Sequence, residues 1–246
     1  MKHQYSHPSN GFTLVEIAMV LFIVTLLMAG LVPTITVQLE QQRTNETRKT
    51  LQEIKDALIG FAVANSRLPC PASSASNGIE SPVGGTCTNP FNGFVPAATL
   101  GITPTDNQGY ALDGWSNRIR YAVTTANTNA FTTINGMQTT GMGTLVPNLY
   151  VCASASGITS TTCGTATSLT TNAVVVIYSI GKNAATGGTG TDETANPNPQ
   201  SVNNDKVFVS HEPRPSGAPN GQFDDILTWL SPNILYNRMV AAGKLP

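Results

Sequence analysis

Residues 10–33 read NGFTLVEIAMVLFIVTLLMAGLVP, and the whole architecture depends on what this stretch is. No charged side chain stands between Ile17 and Leu39, and the apolar core of the run, residues 12–32, approaches the roughly 20 residues a spanning helix needs. The one ionisable group in it is Glu16, five residues after Gly11. A carboxylate inside a bilayer costs on the order of 3 kcal/mol on insertion scales, so such a group asks for a partner. A secretory signal has a shorter apolar middle followed by a small-residue cleavage site, whereas here the apolar run is long and the small residues precede it. Lys2, His3 and His7 ahead of the run, with no acid among them, leave the N-terminus on the cytoplasmic side and the bulk of the chain outside.

The remainder of the 246 residues is poor in charge. Charged residues make up 11% of the chain, with 13 Lys+Arg against 14 Asp+Glu. Such a balance offers no basic surface for a nucleic-acid backbone, so nucleic acid is not expected as a partner except through a role in DNA uptake. From about Leu68 the sequence fills with Thr, Ser, Asn, Gly and Pro, the profile of short strands joined by many turns. Cys70, Cys87, Cys152 and Cys163 all fall in this polar part and point to two disulfides in an oxidising compartment. Three pairings are open, and proximity in sequence favours Cys70 with Cys87 and Cys152 with Cys163. A zinc site would need close CxxC or HxxxH pairs, which are absent.

GFTLVE, residues 11–16, resembles the processing site of type IV pilins and of the pseudopilins of type II secretion. The resemblance rests on a short polar leader, a glycine at the cut, Phe next, Glu at the fifth mature position, and a long apolar helix. It implies that a prepilin peptidase cuts after Gly11 and methylates the new amine of Phe12. Glu16 then becomes an assembly residue that pairs with the amine of a neighbouring subunit, and Pro33 a helix-bending proline. The implied domains are a cleaved leader at 1–11 and a long helix at 12–66, of which 12–33 is transmembrane and 34–66 amphipathic. An extracytoplasmic head follows at 67–246. The fold class expected is α+β and pilin-like: a long N-terminal helix packed on a disulfide-bonded antiparallel sheet. The partners implied are the peptidase, other pilin or pseudopilin subunits, the inner-membrane assembly platform and the membrane itself.

Past Pro33, Val37, Thr44, Leu51 and Leu58 recur every seven residues with Thr47, Ile54 and Phe61 beside them, an amphipathic stripe for packing on the head. Ser66-Arg-Leu-Pro-Cys-Pro stops the helix. Strands are expected at 118–124, 174–180 and 206–210, with tight turns at the Asn-Gly pairs beginning at Asn77, Asn92, Asn135 and Asn220. A last helix starts at Ser231-Pro232 and stops at Gly243, with Ile234, Leu235, Met239 and Val240 on its apolar face. LDGWSNRIRYAV and YSIGKN are loosely similar to sheet segments of secretion pseudopilins.

Chemistry is sparse. Major pseudopilins bind calcium in a loop comparable to residues 182–205, where Asp192, Glu193 and Asp205 offer hard oxygen ligands, although the regular spacing of an EF-hand is missing. His211, Glu212, Asp224 and Asp225 lie near no nucleophile motif, so no enzymatic head is expected and His211 reads as a surface-loop residue. Trp115 and Trp229 are expected to plug the core.

Overall fold

The computed structural model describes residues 11–184, 188–196 and 205–246, and within the first helix the side chains of 29–34 fall outside the description. Residues 1–10 of the expected leader therefore lie outside the described residues, and Gly11 lies within them. The chain divides into two compact units, Met1–Gln42 and Arg43–Pro246, taken here in turn.

The first unit holds the start of α1 (Leu14–Asn65). Every described side chain from Phe12 to Met28 is exposed. Among the described residues, no helix is long and apolar enough to cross a membrane. The helix bounds include Pro33, whose side chain falls outside the description.

The second unit has three layers. Its middle is an antiparallel four-stranded sheet, in the order β1 (Gly93–Phe94), β2 (Arg120–Val123), β5 (Val175–Ser179), β7 (Ile226–Leu230). On one face lie the part of α1 from Arg43 onward and the C-terminal α5 (Pro232–Ala241); on the other lies a three-stranded sheet of β4 (Ser168–Ala173), β3 (Leu149–Cys152) and β6 (Val207–Val209). Three short helices, α2 (Ala97–Leu100), α3 (Ala126–Asn129) and α4 (Gly136–Thr140), stand in the connections. Side-chain alternation along β5 builds both cores at once. Val175 and Ile177 join Leu51, Ile54, Leu58, Leu235 and Met239 on the helix side, while Val176 and Tyr178 meet Leu149, Val151 and Phe208 between the sheets. A strand buried on both faces reads as a near-continuous apolar run, which is why VVVIYSI shows no alternation; its buried Ser179 is satisfied by Asp113.

The second sheet departs from the antiparallel expectation, because β6 runs parallel to β3, with Tyr150 opposite Val207 and Cys152 opposite Val209. A parallel neighbour needs a long crossover, and the chain from β3 reaches β6 only after passing through β4, β5 and the loop 182–205. The Cys70–Cys87 and Cys152–Cys163 disulfides are formed, each closing its own loop, and no cysteine is free.

Along α1 the buried line runs Thr47, Leu51, Ile54, Leu58, Ala62, each side chain worth about 1.5–3 kcal/mol if large and aliphatic. The strict seven-residue reading fails at Phe61, which yields its place to Ala62 because a straight helix of 3.6 residues per turn drifts from a seven-residue repeat; Val37, in the first unit, is exposed. Phe61 is half-buried under the Arg67 guanidinium, 5.2 Å from its ring. The helix ends at Asn65, where Ser66 turns left-handed (φ 56°) ahead of Pro69.

LDGWSN and YSIGKN, set apart in sequence, meet. Asp113 is buried, accepts the N–H groups of Trp115 and Asn117 at 2.9 and 2.8 Å, and takes a 2.5 Å bond from Ser179 Oγ. Asn117 Nδ2 donates to the Gly181 carbonyl at 2.8 Å. The adjoining Gly114 N–H donates to Thr47 Oγ1 at 2.9 Å, and a Cβ on Gly114 would stand 2.5 Å from the Arg43 carbonyl oxygen. Glycine is what lets this turn close on α1.

Smaller expectations divide. Asn77-Gly78 and Asn220-Gly221 are left-handed pairs as turns require, whereas Gly93 after Asn92 belongs to β1. On α5, Leu235 and Met239 are buried but Ile234 and Val240 are exposed. Trp115 packs half-buried on the helix-side core and Trp229 on the inter-sheet core.

Candidate functional site

The N-terminal segment and a carboxylate cluster in the second unit are the two places where chemistry gathers. At the first, Gly11, Phe12 and Thr13 precede α1 and are exposed. Thr13 N–H and Thr13 Oγ1 both donate to Glu16 Oε2 at 2.8 Å, and Glu16 N–H donates back to Thr13 Oγ1 at 3.3 Å. This reciprocal pair is a capping box, which satisfies two of the amides a helix start leaves open. The carboxylate thus already has a local partner in the helix start. TLVE is a literal T-x-x-E signature, so the cap was readable in the sequence, and a reading that looked only for a charge partner passed over it. Among the described residues nothing lies within 4 Å of where a Cβ on Gly11 would stand.

In the second unit, Asp192, Glu193 and Asp205 do not form one ligand set. The structure groups Glu193 instead with Asp224 and Asp225, one oxygen from each lying within 4.8 Å of the others. A 3₁₀ turn at Glu193–Ala195 buries Glu193, whose Oε2 accepts Asn183 Nδ2 at 2.9 Å and the N–H groups of Thr189 and Gly190 at 3.0 and 3.4 Å. Its Oε1 accepts Asp224 N–H at 2.8 Å. Asp224 takes Gln222 Nε2 at 3.0 Å on Oδ2, while its buried Oδ1 has no hydrogen-bond partner among the described residues. That oxygen leaves no room across from it, since a Cβ on Gly181 (φ 65°) would lie 2.1 Å away. Asp225 is buried, and its Oδ2 accepts Asn196 Nδ2 at 2.7 Å. Asn196 also pairs with both backbone groups of Val209, its Oδ1 accepting N–H at 2.7 Å and its Nδ2 donating to the carbonyl at 2.9 Å. One side-chain amide thereby closes the outer edge of β6 and holds the cluster beside it.

Asp192 faces elsewhere. Its Oδ1 accepts Ala155 N–H at 2.6 Å, and its Oδ2 lies 3.1 Å from His211 Nε2 and 3.5 Å from Arg214 Nη1. His211 is therefore not a free surface residue. Its Nδ1 lies 2.7 Å from the Glu212 carbonyl, and its ring centroid is 3.8 Å from that of Phe223. Asp205 caps β6 through Val207 N–H at 3.1 Å, and burial pushes its carboxyl up. The sequence points to residues 182–205 but not to Asn196 within them, nor to a grouping with Asp224 and Asp225 about 30 residues further on; only adjacency in space makes them a group.

Burial beside Glu193 makes the two aspartates of the cluster weaker acids than free ones. Burial pushes Asp225 up to about 8, with the Asn196 bond opposing and the charges of Glu193 and Asp224 adding. Asp224 is pushed up to about 6, first by burial and then by Glu193. An unfolded Asp ionises near 4. Between about pH 4 and pH 8 the unfolded chain gives up protons the folded chain keeps, so stability falls as pH rises across that window and levels off above it. The urea midpoint in chelator is expected to be lower at pH 8.5 than at pH 5, and Asp225→Asn, which keeps an oxygen for Asn196, is expected to flatten the slope. A variant as pH-sensitive as the wild type would contradict this account.

Compared with known proteins, residues 7–32 match the model of the prokaryotic N-terminal methylation motif. The chain carries a prepilin-type motif, the signature of type IV pilin-like proteins, a structural class. No curated protein and no solved structure matches the chain significantly.

Proposed function

We propose that this protein is a structural subunit of a type IV pilus or type II secretion filament, a minor pilin or pseudopilin. The observation that carries the reading is the methylation motif over residues 7–32, which spans the Gly11–Phe12 junction and Glu16. Prepilin peptidase removes residues 1–11 and methylates Phe12. Residues 12–33 hold the chain in the bacterial inner membrane, with the N-terminus cytoplasmic and the head periplasmic, until the assembly platform passes it into a periplasmic or surface filament beside other pilin or pseudopilin subunits. The exposed apolar side chains from Phe12 to Met28 suit lipid first and neighbouring helices afterwards.

Glu16 then has two tasks. Its bond to Thr13 starts the helix, and the free amine made at Phe12 gives a second, charged partner across the subunit contact, where pairing sets register more than it adds stability. Glu16→Ala is expected to be processed normally yet recovered in sheared filaments at roughly a tenth of the wild-type level or less, about 1.4 kcal/mol or more of lost contact. Unchanged recovery would remove the docking role. Glu16→Gln separates the tasks, since it retains an acceptor for the cap and loses the charge. The competing reading is a bitopic anchored protein whose head binds a ligand or acts as an adhesin without entering a filament; a processed chain missing from sheared filaments and periplasmic assemblies would favour it.

Calcium at Glu193, Asp224 and Asp225 is a second reading, favoured by the convergence of one oxygen from each within 4.8 Å. It is tested in the urea experiment at pH 8.5. Millimolar calcium that raises the wild-type midpoint but not that of Asp225→Asn supports it, and equal midpoints with and without calcium dismiss it.

A further inference from the structure

Arg48 of α1, the loop after β6 at residues 210–213 and the start of β7 at residues 225–227 are distant in sequence, yet they line one cavity of about 410 Å³ in the second unit. Small-molecule sites run from about 300 to 1,000 Å³, so the volume suits a compact ligand. The walls are held in place. Thr47, next to Arg48, accepts the Gly114 N–H at 2.9 Å and pins this turn of α1 to the head. Ser210 N–H donates to the Cys152 carbonyl at 2.9 Å, and Arg214 and Phe223, just past the loop, exchange backbone bonds of 2.9 and 3.1 Å. His211 serves as wall, since its two ring nitrogens already face Asp192 and the Glu212 carbonyl.

Ala153, Leu169, Pro213, Ile226 and Leu227 make one side of the lining aliphatic. Leu169 is the one large aliphatic residue of β4 and stays 45% exposed. The polar side carries two opposite charges. Arg48 and Glu212 are exposed, and among the described residues neither side chain makes a hydrogen bond or an ion pair, with each other or with any third group. Deeper in, Asp225 is only 6% exposed, and its Oδ1 carries no hydrogen bond among the described residues, while Asn196 holds Oδ2. A buried polar atom without a partner favours a ligand that bonds it over one that does not.

We propose that this cavity binds a short aliphatic peptide with both ends free, a zwitterion whose carboxylate meets Arg48 and whose ammonium meets Glu212. A ligand with one charge would satisfy one of the two groups and repel the other, and a neutral ligand would strip water from both without replacing it. A single amino acid leaves most of the 410 Å³ unfilled, whereas two residues set their side chains on the aliphatic lining and a peptide group near Asp225 Oδ1 and the Ser210 hydroxyl. Walls fixed before binding lower the ordering cost of association. The inference goes beyond the filament reading and does not depend on it, because a head can hold a peptide within a filament or on an anchor.

The test uses the full chain purified in detergent, with calcium chelated so that the carboxylate cluster stays metal-free, and titrates it with leucyl-leucine by calorimetry. The expected result is saturable binding at one site, with N-acetylated leucyl-leucine and leucyl-leucine amide each at least roughly tenfold weaker, the loss of one charged contact. Arg48→Gln is expected to bind the free acid and the amide alike while still preferring the free amine, and Glu212→Gln to do the reverse. Both side chains are exposed, so the thermal midpoints should not move. Absence of saturable binding overturns the proposal, as does equal binding of the capped dipeptides or of glycyl-glycine, or a folded variant that keeps both preferences. None of these outcomes reads processing at Phe12 or recovery in sheared filaments, so the filament reading stands or falls separately.

Discussion

Gly11→Val leaves the chain uncut, with Met1 or Lys2 as the N-terminus of the membrane-extracted protein and no methylated Phe12. The expected effect is complete, because a peptidase that must bring its catalytic groups up to the backbone at residue 11 has no space for a branched Cβ. The protein's own fold does not confound the result. Gly11 is exposed, precedes α1, and among the described residues has nothing within 4 Å of a Cβ position, so the head should keep its thermal midpoint. N-terminal sequencing and intact mass read the outcome directly. A variant still cut at Phe12, or a wild-type chain that begins at Met1 in cells with active peptidase, would end the pilin-like reading of the junction.

Arg67→Ala is expected to cost the head about 3–5 kcal/mol, the range for removing one partner of a buried ion pair. Arg67 and Glu80 are both buried and joined by two bonds of 2.7 Å, from Nη1 to Oε2 and from Nη2 to Oε1. Arg67 also donates to the Leu68 carbonyl at 3.1 Å, while Glu80 accepts Cys70 N–H at 3.1 Å. The pair thus sits between the end of α1 and the first disulfide loop, and alanine at 67 strands a carboxylate beside that loop. Urea unfolding followed by tryptophan fluorescence measures the loss. A double substitution, Arg67→Met with Glu80→Leu, should recover much of it, because two apolar groups leave no charge unpaired. A loss under 1 kcal/mol for Arg67→Ala would show the pair to be solvated in practice.

Neither of these residues had a role assigned from sequence, and the reason is the same one that hid Asp224, Asp225 and Asn196. Their work depends on partners 13 to 31 residues away, as with Arg67 and Glu80 or Glu193 and Asp224, and no local period marks such distances. Local features were legible. The apolar run, the stop at Ser66–Pro69, the buried strand around Val176, the proline-initiated α5 and the left-handed Asn-Gly turns all follow from backbone rules that act within a few residues. The seven-residue stripe on α1 matches the buried line at Leu51, Ile54 and Leu58 but not at Phe61, since the helix drifts against any integer repeat, and Val37 in the first unit is exposed.

The sequence by itself determined the prepilin-type motif, the long helix and the α+β class, because short motifs, helix periodicity and turn chemistry are short-range. Tertiary structure alone decided the parallel β3–β6 pairing, the regrouping of carboxylates around Glu193, the capture of His211 by Asp192, and the tie between the first disulfide loop and Thr132. Each of these is a meeting of groups remote in the chain. Burial then changes what a carboxyl or an arginine can do, and burial is a property of the fold, not of any stretch of residues.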